Sequence, residues 1–450
     1  MDMRAMKVLV IGCGVSGIGA GRALHEKGAA VYLFDANYAL KVQELCDRID
    51  FTPKNIYLGM MTDEQLSEMQ LVIVSPGVPM EETIICQARD LGLPVWGEVE
   101  LAYRLGKGHI LAITGTNGKT TTTALLGEIM QATGADTHVV GNIGLSYTGE
   151  ANYLQEASVV VAELSSFQLE TFVQFRPQVS AILNITPDHL NRHHTMEEYI
   201  RVKERIAENQ QPEDYCILNY EDEVLRKFGQ QLQCRVLYFS SWRILEEGVY
   251  IEDETLRLKL DKKTIDICRL DELKLFGRHN YENYMAAIGM AVAYGVDLEV
   301  LRTALKQFGG VAHRIEFVKE VAGVVYYNDS KGTNPDAAIK AVEAMVRPTI
   351  LIGGGYDKDA DFEEWIRSFN GKVKHLVLLG QTKEKIRAQA LALGYQSITL
   401  VDQLEEAVST ARSLANEGDA VLLSPACASW GMFQNYEERG DRFKELVRLL

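Results

Sequence analysis

The sequence predicts an α/β protein of three consecutive open, mostly parallel sheets, the middle one carrying a small antiparallel decoration. Three observations predict it. Apolar runs of strand length, such as Met6 to Gly12, His109 to Thr114 and Val324 to Tyr327, end in loops rich in Gly, Ser and Thr. A helix signal follows each loop: a helical stretch through Leu24, the apolar restart at Ala124-Leu125-Leu126, and Asn334 as a cap with Pro335 in the first turn. Strands that alternate with helices pair in parallel. At 450 residues, finally, the chain exceeds what one hydrophobic core serves, so two or three domains are expected.

In chain order, the first strand leads into Gly12-Cys13-Gly14-Val15-Ser16-Gly17 and a helix, and the next strand, Ala30 to Phe34, ends on Asp35. This βαβ unit fits a Rossmann-like crest: glycines admit a pyrophosphate, and an acid about 20 residues on meets a ribose hydroxyl. Its bias toward NAD is modest, because any nucleotide diphosphate is served by the same crest. A third strand, Leu71 to Val74, opens into Ser75-Pro76-Gly77-Val78-Pro79, which reads equally as a ligand turn or a plain loop.

His109 to Thr122 reads as strand, phosphate loop, helix. A triphosphate needs converging backbone N–H groups, approach unhindered by Cβ atoms, and a fixed cation. Gly115 and Gly118 supply the approach, Lys119 the cation and Thr120 a hydroxyl for Mg²⁺. The spacing is shorter than G-x-x-x-x-G-K-[ST], since Ile113 stands where the first glycine would be.

The next buried strand, Ser158 to Ala162, ends on Glu163, the usual place for an acid that holds Mg²⁺ beside a phosphate loop. Val179 to Ile185 delivers Thr186-Pro187-Asp188-His189 to the same edge. His193 and His194 lie close by, but no cysteine or second i,i+4 pair completes a zinc site. Thr195 to Glu198 is a capping box that starts a helix running to about Asn209. Its apolar stripe is Met196, Tyr199, Val202 and Ile206, with Lys203 in the middle. A snorkelling lysine is one reading. The other is a desolvated amine of lowered pKa, able to take up CO₂ as a carbamate and become a metal-binding carboxylate. Short alternating segments from Gly248 to Gly277 predict antiparallel hairpins, and a helix begins near Asn280, where Asn280 and Asn283 serve either a base or the helix cap.

Gly309-Gly310 reads as a hinge before the third unit, whose strand ends carry Asn328 to Thr333, Gly353-Gly354-Gly355 and Ser424 to Ser429. An acid such as Asp329 suits a ribose and a lysine such as Lys331 a phosphate, whereas nothing places a base beside Cys427. The expected domains are 1–98, Rossmann-like; 99–309, the central phosphate-loop domain; and 310–450, again Rossmann-like. A net charge of −16 disfavours nucleic acid and anionic membranes as partners. Seven scattered cysteines without a C-x-x-C pair exclude a disulfide framework and read as buried small hydrophobes. No run reaches the ~18 apolar residues of a membrane helix, and the start shows no cleavable signal, so a cytoplasmic protein is expected.

Gly115-Thr116-Asn117-Gly118-Lys119-Thr120, Glu163 with Leu164-Ser165-Ser166-Phe167-Gln168, Asp188-His189, Lys203, His313-Arg314, Asp329-Ser330-Lys331 and Ser424-Pro425-Ala426 together resemble the Mur ligases. These are cytoplasmic enzymes that build the peptidoglycan stem peptide, and the resemblance spans essentially the whole chain in order. Glu163 to Glu170, Ser424 to Ser429 and Phe433 to Gly440 are similar to the branch that joins D-glutamate to UDP-N-acetylmuramoyl-L-alanine through an acyl phosphate.

The resemblance implies UDP-substrate contacts at Gly14, Val15, Ser16, Asp35, Ser75, Gly77, Asn142 and His189. It implies ATP contacts at Gly115 through Thr121, at Asn280 or Asn283, and at Arg314, Asp329 and Lys331. D-Glutamate would meet Lys358, Ser429, Trp430 and Tyr436. The catalytic set would be Lys119, Glu163, His189 and Lys203. Two Mg²⁺ ions would be held, one by Thr120 and Glu163, the other by His189 and a Lys203 carbamate. Partners would be these small molecules alone, acting on a monomer. One departure is Ala36-Asn37 after Asp35, where relatives often carry a basic side chain.

Overall fold

The computed structural model describes residues 2–46, 49–142, 145–357 and 360–450. The chain divides into two compact units, Met1–Phe308 and Gly309–Leu450, and the break falls at the expected glycine hinge.

The first unit holds two sheets. Strands β1 (Lys7–Ile11), β2 (Ala30–Asp35), β3 (Asn55–Leu58), β4 (Leu71–Val74) and β5 (Val95–Gly97) pair in parallel in the order β3-β2-β1-β4-β5. The order reverses at β1, so the loops after β1 and β4 lie side by side at the carboxyl edge, the usual ligand crevice. The Ser75 hydroxyl donates to the Gly12 carbonyl at 3.0 Å, tying the two loops together. A Cβ on Gly17 would sit 1.8 Å from that same carbonyl oxygen, so only glycine lets the helix Val15–Glu26 start this close to the strand.

The second sheet comprises β6 (His109–Thr114), β7 (Thr137–Gly141), β8 (Val159–Glu163), β9 (Val179–Ile182), β10 (Tyr215–Asn219), β11 (Arg235–Ser240), β12 (Gly248–Glu252), β13 (Thr255–Leu260) and β14 (Lys263–Arg269). Their order is β14-β13-β12-β11-β10-β9-β6-β8-β7. Pairing is parallel from β7 to β12 and antiparallel through β12-β13-β14, the predicted decoration. Leu125, Leu126, Met285 and Ile288, from the helices Lys119–Ala132 and Arg278–Tyr294, cover one face. Tyr147, Phe175, Tyr199 and Val202 belong to the core on the other. Burial on both faces is why these strands read as unbroken apolar runs rather than alternating ones. Since β8 and β9 flank β6, their carboxyl ends bring Glu163 and the Asp188-His189 segment to either side of the phosphate loop.

The second unit is a six-stranded sheet of β15 (Glu316–Val321), β16 (Val324–Asn328), β17 (Thr349–Gly353), β18 (Val373–Leu378), β19 (Ile398–Leu400) and β20 (Ala420–Leu423). The order is β15-β16-β20-β17-β18-β19, parallel except for the hairpin β15-β16. Strand β15 is one of several strands the sequence reading lacked. It lies at the sheet edge and is only partly buried, so its charges at Glu316, Lys319 and Glu320 hide the strand pattern.

Three local expectations are corrected. Thr195 caps the helix Met196–Glu204 by accepting from the Glu198 amide, but the Glu198 carboxylate turns outward to Arg201, leaving half a capping box. The α-helix also stops at Glu204 and tightens into the 3₁₀ turn Arg205–Ala207, where the Arg205 guanidinium bonds carbonyls of Leu169, Glu170 and Phe172. Of the cysteines, Cys46 and Cys86 are exposed rather than buried. Among the described residues no helix is long and apolar enough to cross a membrane.

Candidate active site

The phosphate loop is shaped by two glycines that nothing else could replace. Gly118 caps the helix Lys119–Ala132 at φ +86°, and a Cβ there would lie 2.2 Å from Asn283 Oδ1. Gly115, at φ +151°, leaves room for Leu183. The loop is pinned from the β9 side: the Thr116 amide donates to the Asn184 carbonyl and the Asn117 amide to the Asn184 side chain at 2.8 Å. Lys119 follows Gly118 directly, and its Nζ donates to the carbonyls of Gly115 and Thr116 at 2.8 Å each. Thr120 is buried in the first turn. Together these give a concave run of backbone with an ammonium folded over it, the chemistry that a polyphosphate requires.

Glu163 ends β8 and is 1 % exposed. Its Oε1 accepts from Asn142 Nδ2 at 2.8 Å, and its Oε2 is buried with no hydrogen-bond partner among the described residues. A buried carboxylate oxygen left orphaned costs about 1–3 kcal/mol, and such an oxygen fits a divalent cation as its partner. Thr120 and Glu163 therefore fit as magnesium ligands. Among the described residues no group of three or more His, Cys, Asp and Glu is arranged to hold a metal ion, so protein carboxylates and imidazoles alone do not complete such a site.

Lys203 is 1 % exposed, in mid-stripe as the periodicity predicts. Its Nζ donates to the Gly115 carbonyl at 2.9 Å and lies 4.8 Å from the centre of the Tyr199 ring. Burial, reinforced by the Lys119 charge, pushes its pKa down to about 7. Both lysines thus converge on one carbonyl. The Tyr199 hydroxyl meets Thr116 Oγ1 at 3.1 Å, so the helix that carries Lys203 is fastened to the phosphate loop. His189 stands apart from this buried group. It sits at φ 52° before the short helix Leu190–His193, half exposed, with its ring against Phe167 at 4.9 Å.

On the N-terminal crest, Gly14 and Val15 are exposed and Ser75 is buried. The Asp35 carboxylate accepts the amides of Cys13 at 2.8 Å and Asn37 at 3.0 Å, which fixes the glycine loop from β2. Asn283 is buried, its Oδ1 accepting from Thr122, whereas Asn280 remains partly open on the same helix.

Several residues of this unit carried no role in the sequence reading. Buried Glu98 accepts from Gln168 at 2.9 Å, and Arg192 joins Glu170 to the Val78 carbonyl at 2.9 Å, so both bind the crest to the central sheet. Gln168 and Glu170 stand in the quoted Glu163 to Glu170 motif, but their partners Glu98 and Arg192 are 70 and 22 residues distant, and no local pattern marks such pairs. His193 is buried with its ring nitrogen 2.8 Å from Ser166 Oγ, a structural histidine rather than a zinc ligand. A cavity of about 530 Å³ opens beside it, but its arginines are largely engaged by Glu170, Glu198 and backbone carbonyls.

In the second unit, Asp329 follows β16 and is 5 % exposed. It accepts from Ser424 Oγ at 2.7 Å, and burial raises its pKa to about 7. Because the folded value lies above the ordinary 3.8, ionisation favours the unfolded chain, and stability falls as pH rises from about 4 to about 7. Asp329→Asn should therefore slow amide hydrogen exchange in Val324–Asn328 at pH 8 relative to the parent chain and change it least at the acid end. Equal protection in both proteins at pH 8 would contradict this. Lys331 Nζ lies 5.8 Å from the centre of the Tyr436 ring, and Arg314 directly precedes Ile315, whose amide reaches Asp329. Ser429 is buried; Trp430 is half exposed and packs edge-on against Tyr356 at 5.6 Å. Lys358 lies outside the described residues. Arg439, which the sequence reading gave no role, is buried and bonds Ser330 and the Cys427 carbonyl, joining the two crest loops. The signal was available: Arg439, Phe443 and Val447 recur every four residues on the buried face of Tyr436–Arg448. Cys427 is buried beside Thr382 with its pKa pushed up to about 11, and is no nucleophile.

Three family models match the chain. They are "Mur ligase MurD-like, N-terminal domain" over residues 6–97, "Mur ligase middle domain" over 113–291 and "Mur ligase, glutamate ligase domain" over 313–427. The UDP-N-acetylmuramoylalanine–D-glutamate ligase of Lachnoclostridium phytofermentans is 52% identical, covering 100% of this chain and 99% of its own. Those of Lachnospira eligens and Clostridioides difficile are 50% and 45% identical, each covering 100% of both chains. Among solved structures, UDP-N-acetylmuramate-alanine ligase from Thermotoga maritima has a TM-score of 0.57 at 21% identity, covering 99% of each chain. The MurF ligase from Thermotoga maritima in complex with ADP has a TM-score of 0.56 at 16% identity, covering 100% of this chain and 97% of that one. Likeness at such identity shows a shared fold.

Proposed function

The chain belongs to the Mur ligase family, and from that premise we propose that it joins D-glutamate to the L-alanyl carboxylate of UDP-N-acetylmuramoyl-L-alanine, with ATP as co-substrate, in the assembly of peptidoglycan precursors. The observation that carries this reading is the full-length identity of 52% to a ligase of that name. A cytoplasmic monomer of the domains 1–98, 99–309 and 310–450 belongs to the same proposal.

The chemistry follows from charge. A carboxylate is a poor acyl donor, so the γ-phosphoryl group of ATP passes first to the substrate carboxylate, and the acyl phosphate is then attacked by the D-glutamate amine as phosphate leaves. The first step brings anions together. The amides of Gly115 to Thr121 and the Lys119 ammonium hold the phosphates and offset the developing charge. Magnesium, when bound by Thr120 and Glu163, would supply further charge neutralisation at the transferring phosphoryl group. In this reading Asp35, Ser75 and the Gly14 to Ser16 loop hold the UDP moiety, and His189 faces the muramoyl arm. Partly open Asn280, rather than buried Asn283, meets the adenine. Arg314, Asp329 and Lys331 assist the nucleotide, while Lys358, Ser429, Trp430 and Tyr436 recognise D-glutamate.

Lys203 extends the reading. With its pKa lowered to about 7, a substantial fraction of the amine is neutral near pH 7, and its reaction with CO₂ yields a carbamate and a proton. The product would be an additional carboxylate, and it and His189 are the residues that would hold a second Mg²⁺. In ¹³C-bicarbonate the parent protein is expected to show a carbamate carbonyl resonance above pH 7 that Lys203→Arg lacks. No resonance at saturating bicarbonate would remove the carbamate from the mechanism.

The overall assignment is tested by phosphate release with ATP, Mg²⁺, UDP-N-acetylmuramoyl-L-alanine and a panel of amino acids. Release that depends on D-glutamate is expected. Equal release with L-glutamate, or none with any amino acid, would overturn it.

A further inference from the structure

We propose that Asn184 is a positioning residue for the phosphate loop: its side chain fixes the peptide joining Asn117 to Gly118, so that the Gly118 N–H is offered to a phosphate oxygen. The carboxamide holds both polar groups of Asn117. The Asn117 amide donates to Asn184 Oδ1 at 2.8 Å, and Asn184 Nδ2 donates to the Asn117 carbonyl at 3.1 Å. An N–H only donates and a C=O only accepts, so the pairing demands an acceptor and a donor side by side, and asparagine carries both. The arm itself starts from a fixed backbone. Asn219 Nδ2 donates to the Leu183 carbonyl at 3.2 Å, the Ile185 amide donates to Asp222 Oδ2 at 2.8 Å, and the Asn184 carbonyl accepts the Thr116 amide at 3.0 Å.

The consequence lies one peptide group beyond the clamp. In a planar trans peptide the C=O and the following N–H point in opposite directions, and no peptide bond among the described residues is cis. With the Asn117 carbonyl drawn to Asn184, the Gly118 N–H is turned away from it. That N–H belongs to the cap of the helix Lys119–Ala132, ahead of the helix's own hydrogen bonds. Glycine at this position lets the peptide plane turn over at little cost, so its direction has to be imposed from outside the loop. The inference rests on the reading of the loop as a nucleotide site, and it gives that site a residue that touches no ligand.

The test uses the full chain and follows ADP binding in the presence of Mg²⁺ by isothermal titration. Asn184→Ala and Asn184→Leu both remove the clamp, and leucine keeps the volume. Each is expected to weaken ADP binding about 10- to 100-fold, the scale of one hydrogen bond to a charged group. UDP binding to the N-terminal crest reports that the first unit is intact. An ADP affinity in Asn184→Leu within about three-fold of the parent would make the residue a space filler and overturn the proposal, as would an unchanged affinity in Asn184→Ala. A second measurement needs no variant and decides the matter even if neither one folds. In parent protein labelled with ¹⁵N-glycine, the Gly118 amide proton is expected to move downfield on addition of ADP, and a resonance that stays in place would overturn the proposal. If the parent binds ADP and the variants weaken it as described, but no phosphate is released with D-glutamate, the substrate assignment fails and the positioning role stands.

Discussion

Lys119→Ala is expected to lower phosphate release at saturating ATP by at least ~10²-fold, the scale of removing one preorganised donor from a developing anion, about 2.7–4 kcal/mol. Two features set this size. Lys119 stands at the mouth of the helix Lys119–Ala132, where its ammonium is held over the loop by the carbonyls of Gly115 and Thr116. The background charge of the protein is −16, so the local positive field must come from individual groups such as this one. The fold should tolerate the change, because the glycines rather than the lysine shape the loop. Binding of UDP to the N-terminal crest is the control. A kcat within about three-fold of the parent would contradict the assignment of the loop.

Glu163→Gln should have a comparable effect on turnover and the opposite effect on stability. The substitution removes the charge that a divalent cation needs, and a loss of ~10²-fold or more in kcat is expected. Yet the amide still offers Asn142 an acceptor and no longer confines a charged carboxylate whose second oxygen is buried without a partner among the described residues. The melting temperature should therefore stay level or rise by a few degrees, following relief of about 1–3 kcal/mol. Such a trade between stability and activity is common where a site is built for a ligand. Calorimetry beside a phosphate-release assay reads both quantities, and a variant less stable than the parent yet fully active would refute the account.

Much of this site was legible in the sequence because its parts lie at the ends of buried parallel strands. The apolar runs locate β6, β8 and β9, and whatever polar residue follows such a run stands at the sheet's carboxyl edge: Gly115, Glu163 and the Asp188-His189 segment. Lys203 was legible for a related reason, since its place in the middle of an apolar helical stripe marked it as either a snorkelling or a buried amine, and the fold buries it. What could not be read were pairs made by the fold alone. The contact of Asn142 with Glu163 and that of Gln168 with Glu98 join residues 21 and 70 positions apart with no periodic signature. The half-buried edge strand β15 escaped because charge interrupts its pattern, and the exposed Cys46 and Cys86 because composition says nothing about position.

The close approach of Gly118 to Asn283 has a consequence for how the protein is made. Thr122 and Asn283 are separated by 161 residues, yet the asparagine side chain sits where any Cβ at position 118 would have to go, and it accepts the hydroxyl of the helix that follows the loop. The loop emerges early from the ribosome, whereas the helix Arg278–Tyr294 that backs it is translated much later. A nascent chain has the phosphate loop's residues long before it has the partner that braces them. The phosphate loop is thus braced only after most of the first unit has been synthesised.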